Sequence, residues 1–146
     1  MTRLHQHAAL PYVVVDGQVH VLLITSRDTG RWVIPKGWPK AKLTPAGLAA
    51  REAREEAGVE GDVSPEPIGT YSYRKRLHFF SWPRCDVDVF SLRVSSQRLE
   101  WREKGQRRLQ WMAPEEAARR VAESDLAALI LDFGARTRRE PPDQGA

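Results

Sequence analysis

The 146-residue sequence predicts an α+β domain organised around a mixed β-sheet. Three observations carry this. Strand-like and helix-like segments alternate without a regular βαβ repeat, which argues against a doubly wound parallel sheet. The segment AALPYVVVDGQVHVLLITSR places two apolar runs on either side of Asp16-Gly17, the signature of a β-hairpin. No glycine-rich phosphate loop, dinucleotide fingerprint or internal repeat is present.

The elements follow in order. After the hairpin, RWVIP reads as a short third strand and KGWPKAKL as a loop carrying Gly37 and Pro39. A helix spans 45–57: Thr44 caps it, Pro45 suits its first turn, and Gly58 stops it. IGTYSYRKRLHFF and VDVFSLRVS have the alternation and β-branched or aromatic content of two more strands, separated by SWPRCD. RLQWMAPEEAARRV gives a short strand and then a helix opened by Pro114. SDLAALILDFGARTRR gives a closing helix with Ser124 as its cap. Residues 1–138 are expected to form a single domain, and 139–146 a disordered tail.

Composition narrows the functional classes. A hydrophobic content of 41% supports one core. Cys85 stands alone, which excludes an internal disulfide framework and a multi-cysteine zinc site. No run is long enough for an apolar membrane span, and MTRLHQHAALPYVVV lacks a signal-peptide plan, so a cytoplasmic protein with no membrane partner is expected. Twenty-three lysines and arginines face 19 acids, a net charge of +4. The basic clusters YRKRLH, GQRRLQW and GARTRRE suit phosphate-bearing ligands or nucleic acid; equally, each can be a solvated surface.

The helix over 45–57 raises the sharpest question. Turned by about 100° per residue, it gathers Ala46, Ala49, Ala50, Ala53 and Ala57 on one side. Glu52, Glu55 and Glu56 fall on an adjoining arc about 100° wide. Like charges at this spacing weaken a helix, and Arg51 offsets part of that through Glu55, its i+4 neighbour. Such an arc is either a charged solvated face or a hard-cation site, where carboxylates hold Mg²⁺ or Mn²⁺ against phosphate oxygens.

The wider stretch from Gly37 to Val59 resembles the Nudix box, in which a glycine is followed after five residues by Glu and after seven more by R-E-U-x-E-E-x-G-U, U being apolar. Gly37, Arg51, Glu52, Glu55, Glu56, Gly58 and Val59 match at the right spacing; Ala53 is a small occupant of a U position, and Leu43 stands where the first Glu belongs. Outside the box, TSRDTGRWVIPKG, YRKR and LEWREKGQRRLQWMAPEEA resemble the diphosphoinositol polyphosphate phosphohydrolase branch of that family. Two departures stand out: KGW replaces a glycine-rich segment, and His5, Gln6 and His7 replace basic residues before the first strand.

The resemblance implies an α/β/α sandwich around the mixed sheet and metal-dependent hydrolysis of a phosphoanhydride. It implies Mg²⁺ or Mn²⁺ as cofactor, held by Glu52, Glu56 and the backbone carbonyl of Lys36. Glu55 would be a further ligand or the general base, and Arg51 would orient a box glutamate. For the substrate, Ser26, Arg27, Arg31, Arg74, Lys75, Arg76, Arg107 and Arg108 are the candidate phosphate contacts. Arg107 leads them, because it occupies the branch's arginine before R-x-x-W. The substrate is expected to be a small phosphorylated molecule, a dinucleoside polyphosphate or diphosphoinositol polyphosphate, with ADP-ribose or a nucleoside triphosphate as the alternative. The enzyme would act as a monomer or homodimer.

Two other classes compete. A non-catalytic Nudix-like nucleotide-binding module is favoured by Leu43 and opposed by the intact REAREEAG. An RNA-binding protein using YRKR and GQRR has no accompanying RNA-binding motif. Trp38 is placed either to stack on a base or to pack over its loop; Trp32 and Trp111 read as core or loop anchors. Asp86, Asp88, Glu100 and Glu103 are weaker candidates for an extra acid, expected to be solvated.

Overall fold

The structure, a computed structural model, describes residues 3–139. Eight strands and three helices follow in the order β1 (Leu4–Val15), β2 (Gln18–Thr25), β3 (Trp32–Val33), β4 (Lys36–Gly37), α1 (Pro45–Ala57), β5 (Val59–Val63), β6 (Gly69–Arg74), β7 (Arg84–Gln97), β8 (Leu109–Met112), α2 (Pro114–Arg120) and α3 (Ser124–Arg139). α3 ends at Arg139, the first residue of the expected tail; residues 140–146, the rest of that expectation, lie outside the described residues.

The strands form one mixed sheet with the path β3-β2-β1-β7-β5; β4 pairs with β1, β6 with β7 and β8 with β2. β1 and β7 run parallel and every other pair is antiparallel. The hairpin turns at Asp16 and Gly17, both with positive φ (52° and 74°), the conformation of a two-residue hairpin loop that matches strand twist.

The two sheet faces are covered separately. Ala49, Ala53 and Ala57 of α1 pack on Ala9, Leu22, Ile24 and Phe90. Leu126, Ile130 and Phe133 of α3 and Ala117 of α2 pack on Leu10, Val21, Leu23, Val87 and Val89. This is an α/β/α sandwich, as expected.

Two strands were not expected from the sequence. Lys36–Gly37, read as loop, forms β4 against His7 and Ala8 of β1. Residues 59–63 form β5 despite the polar run Glu60-Gly61-Asp62; they pair antiparallel with β7, with a register shift between Glu60 and Gly61. A Cβ on Gly61 would lie 1.8 Å from the Arg93 carbonyl oxygen, so the strand can approach β7 there only without a side chain. Ser124 is the first residue of α3 rather than its cap; the carbonyl preceding it, that of Glu123, accepts from Ala127 N–H.

Candidate active site

Helix α1 is placed by its own ends and by its alanines. The Thr44 hydroxyl accepts from the Gly47 N–H at 3.0 Å. Gly58 closes the helix in the left-handed region, its N–H donating to the Arg54 carbonyl at 3.0 Å. The small alanine face lets the helix lie close on the sheet and carries its glutamates to β4. There Glu52 fills the space a side chain at position 37 would need: a Cβ on Gly37 would lie 2.5 Å from the Glu52 carboxyl carbon. Glu56 is 5% exposed and accepts from the Lys36 N–H at 3.3 Å.

Arg107, in the loop before β8, reaches the same place. Its guanidinium lies 3.4 Å from Glu56, donates to Glu103 at 3.0 Å, and donates to the Thr25 carbonyl at 3.1 Å. Burial, together with a hydrogen bond and like charge from Glu52, pushes the Glu56 carboxyl up to about 8, against the opposing charges of Arg107 and Lys36. Burial also lowers the Lys36 ammonium below the usual lysine range, with Glu56 as the main opposing influence. For Glu55 burial works the other way and loses: Arg51, by hydrogen bond and charge, with Arg102 and Lys40, holds its carboxyl below the usual range.

These groups open onto a cleft of about 300 Å³. Of the residues expected in the site, Ser26, Arg27, Lys36, Glu52, Glu56, Lys75 and Arg107 line it. Arg51 and Glu55, paired with each other at 3.0 Å, do not line it. Arg31 is 3.7 Å from Glu123, Arg74 donates to the Trp82 carbonyl, Arg76 lies over Phe79 and Trp82, and Arg108 lies over Trp32; none of these four lines the cleft.

Other cleft residues were not anticipated in that role. Glu103, expected to be solvated, has a side chain only 15% exposed, held by Arg107 and 3.7 Å from Arg27. Its i, i+4 spacing to Arg107 was the available signal. Gln6, Lys40 and the side chain of Lys36 also line the cleft. Trp38, expected either to stack on a base or to pack over its loop, lines the cleft and is 41% exposed. Trp111, by contrast, faces outward from β8 rather than anchoring the core.

A glycine-spaced acidic helix over a basic cleft is the arrangement the sequence resemblance implied, and comparison with known proteins decides the family: the NUDIX domain profile matches residues 5–133. The chain belongs to the Nudix family. It is 30% identical over 107 residues to Nudix hydrolase 13, mitochondrial, of Arabidopsis thaliana, covering 70% of this chain and 53% of that protein. It is 28% identical over 99 residues to the human diphosphoinositol polyphosphate phosphohydrolase 3-alpha, covering 66% of this chain and 56% of the other. The chain spans about half the length of the curated relatives it matches. Among solved structures, a Caenorhabditis elegans Ap4A hydrolase binary complex superposes with a TM-score of 0.70 at 18% identity, covering 91% of this chain and 96% of that one.

The donor set of this Nudix domain fits the divalent cation its family implies. Glu52, Glu56 and Glu103 present only hard oxygen donors to one cleft. The Glu56 carboxyl is buried with Glu52 beside it, an arrangement of like charge that a cation would relieve. Leu43, the residue in place of the box's first Glu, is elsewhere. It lines a separate depression with Ala50, Arg51, Arg54, Glu60 and Leu92, on the side of α1 away from the cleft.

Among the described residues, no helix is long and apolar enough to cross a membrane.

Proposed function

We propose that this Nudix domain is a pyrophosphohydrolase that breaks a phosphoanhydride bond in a dinucleoside polyphosphate or diphosphoinositol polyphosphate, using Mg²⁺ or Mn²⁺. One observation carries the reading: a single cleft joins the acids Glu52, Glu56 and Glu103 to the cations Arg27, Lys36, Lys40, Lys75 and Arg107. Phosphoanhydride cleavage needs both, since negative charge spreads over the non-bridging oxygens as water attacks phosphorus.

Glu52, Glu56 and the Lys36 carbonyl would hold the cation. When bound, it supplies Lewis-acid charge to the phosphate oxygens and makes its coordinated water more acidic. Arg27 and Lys75, on the rim, bind and orient the phosphate chain, and Ser26 offers a hydroxyl beside them. Arg107 is already committed to Glu56, Glu103 and Thr25, so its part is to fix the acids rather than to grip substrate. Glu103, which lines the cleft, is the candidate for the base that takes the water proton; Glu55, expected in that role, is held by Arg51 and does not line the cleft. The exposed Trp38 ring suits stacking on a nucleobase, which favours the dinucleoside polyphosphate of the two substrates.

The reading includes a single domain over 1–138, a monomer or homodimer, and a cytoplasmic setting, the last supported by the lone, buried Cys85. A panel of dinucleoside polyphosphates, inositol pyrophosphates, ADP-ribose and nucleoside triphosphates, scored by released products with Mg²⁺ and with Mn²⁺, tests it. Unchanged turnover in both Glu52→Gln and Glu56→Gln would overturn the assignment of the metal site. Turnover of ADP-ribose or a triphosphate alone would replace the substrate.

A further inference from the structure

On the α1 face of the sheet, near the open end of β1, His5, His7 and Asp88 each present one ligating atom, all within 4.8 Å of one another. We infer that these three residues form a second cation site, for a divalent transition metal such as Zn²⁺ or Co²⁺, separate from the glutamate helix. The inference does not depend on the hydrolase reading.

The fold brings the three together directly. His5 and His7 are two residues apart on β1 and so share a face. In the parallel pairing of β1 with β7, His7 is registered on Asp88. The Asp88 carboxylate is oriented from outside: Thr70 donates to its Oδ1 at 2.9 Å, leaving Oδ2 toward the two imidazoles. Hydrogen bonds of this kind are what hold carboxylate ligands in place around a metal.

The distances suit a cation. His5 Nε2 lies 2.8 Å and His7 Nδ1 3.9 Å from the same Asp88 oxygen. Ligands about 2.05 Å from a tetrahedral zinc are about 3.3 Å apart, between those two values, so small side-chain rotations reach the coordinated geometry.

The decisive feature is His7. Its side chain is nine-tenths buried, its ring is set edge-on to Phe90, and its Nδ1 is buried with no hydrogen-bond partner. A buried ring nitrogen left without a partner is costly, and this one points into the cluster. A hydrogen-bonded His5–Asp88 pair by itself leaves that atom unexplained; a shared cation satisfies it. Two imidazoles and one carboxylate prefer zinc-like metals over Mg²⁺, and the exposure of His5 leaves room for water at a fourth position.

The test is Co²⁺ titration of the full chain after chelator treatment, followed by calorimetry and visible absorption, with Zn²⁺ as competitor. The expected result is a Co²⁺ absorption band that a large excess of Mg²⁺ does not displace. The band persists in the Glu52→Gln/Glu56→Gln variant and weakens more than about tenfold in affinity in His5→Ala and Asp88→Asn. His7→Gln removes the band; should that buried substitution unfold the chain, the exposed His5→Ala decides alone. No band, a band unchanged in His5→Ala and Asp88→Asn, or a band lost in the glutamate variant overturns the site.

Discussion

Arg107 and Glu56 meet at 3.4 Å with both side chains about nine-tenths buried, linking the loop before β8 to the helix that carries the box glutamates. Removing one partner of such a pair leaves a charge, or a polar carboxyl, buried without compensation. Arg107→Ala should therefore lower stability by about 3 kcal/mol, whereas removing an exposed pair such as Arg136–Asp132 should cost at most about 1 kcal/mol. Denaturant melts of the two variants check this. Equal, small losses would show that Arg107 does not hold the site together.

The burial of Glu56, with Glu52 beside it, makes stability depend on pH when no metal is bound. Glu56 holds its proton up to about 8 in the fold, and an unfolded glutamate holds it only to about 4.3. The folded state therefore binds more protons between these values, so this contribution is complete below the unfolded value and is lost as pH rises toward 8. In chelator, the melting temperature should fall by at least about 5 °C from pH 5 to pH 8. Glu56→Gln, which keeps the shape without titrating, should flatten that slope, and Mg²⁺ should oppose it in the unsubstituted protein. A slope unchanged by Glu56→Gln would place the titrating group elsewhere.

Gly37 tests the spacing that links the strand to the helix. An added methyl would overlap the Glu52 carboxylate, the movable end of a side chain, rather than backbone. Gly37→Ala should then fold, displace Glu52, and lower metal-dependent turnover by about 100-fold, the scale of a misplaced catalytic group. Turnover and a thermal melt measured together separate this from unfolding. Full activity would mean that Glu52 does not need its place against β4.

Local signals explain what the sequence made legible. Asp16-Gly17, Thr44, Pro45 and Gly58 set a hairpin turn and both ends of α1 through interactions a few residues long. The Gly37-to-Glu52 interval is also visible, because one residue's missing side chain makes room for the other. Glu103's i, i+4 spacing to Arg107 was its one local signal, but its other partner, Arg27, lies far away in the chain. Likewise, nothing local distinguishes Arg27 and Lys75, which reach the cleft, from Arg31, Arg74, Arg76 and Arg108, which find Glu123, a carbonyl or an aromatic ring instead. The β5 strand escaped notice because its central residues are polar and its bulge is set by β7.

Leu43 is where sequence and structure together make the strongest claim. Read along the chain, it is a missing acid in a box of acids. In the fold it faces Arg51, Arg54 and Glu60 on the other side of α1 from the cleft, while Arg51 pairs with Glu55 within the helix. An acid at position 43 would therefore meet arginines on a solvent-accessible flank, where an ion pair contributes at most about 1 kcal/mol. Leu43→Glu should change metal-dependent turnover by no more than about fivefold, the rate equivalent of that energy. Glu52→Gln and Glu56→Gln should reduce it by more than about 100-fold. Parallel kinetics on the three variants give the answer. A large gain in Leu43→Glu, from an inactive starting protein, would show that the missing acid belongs to the reaction after all.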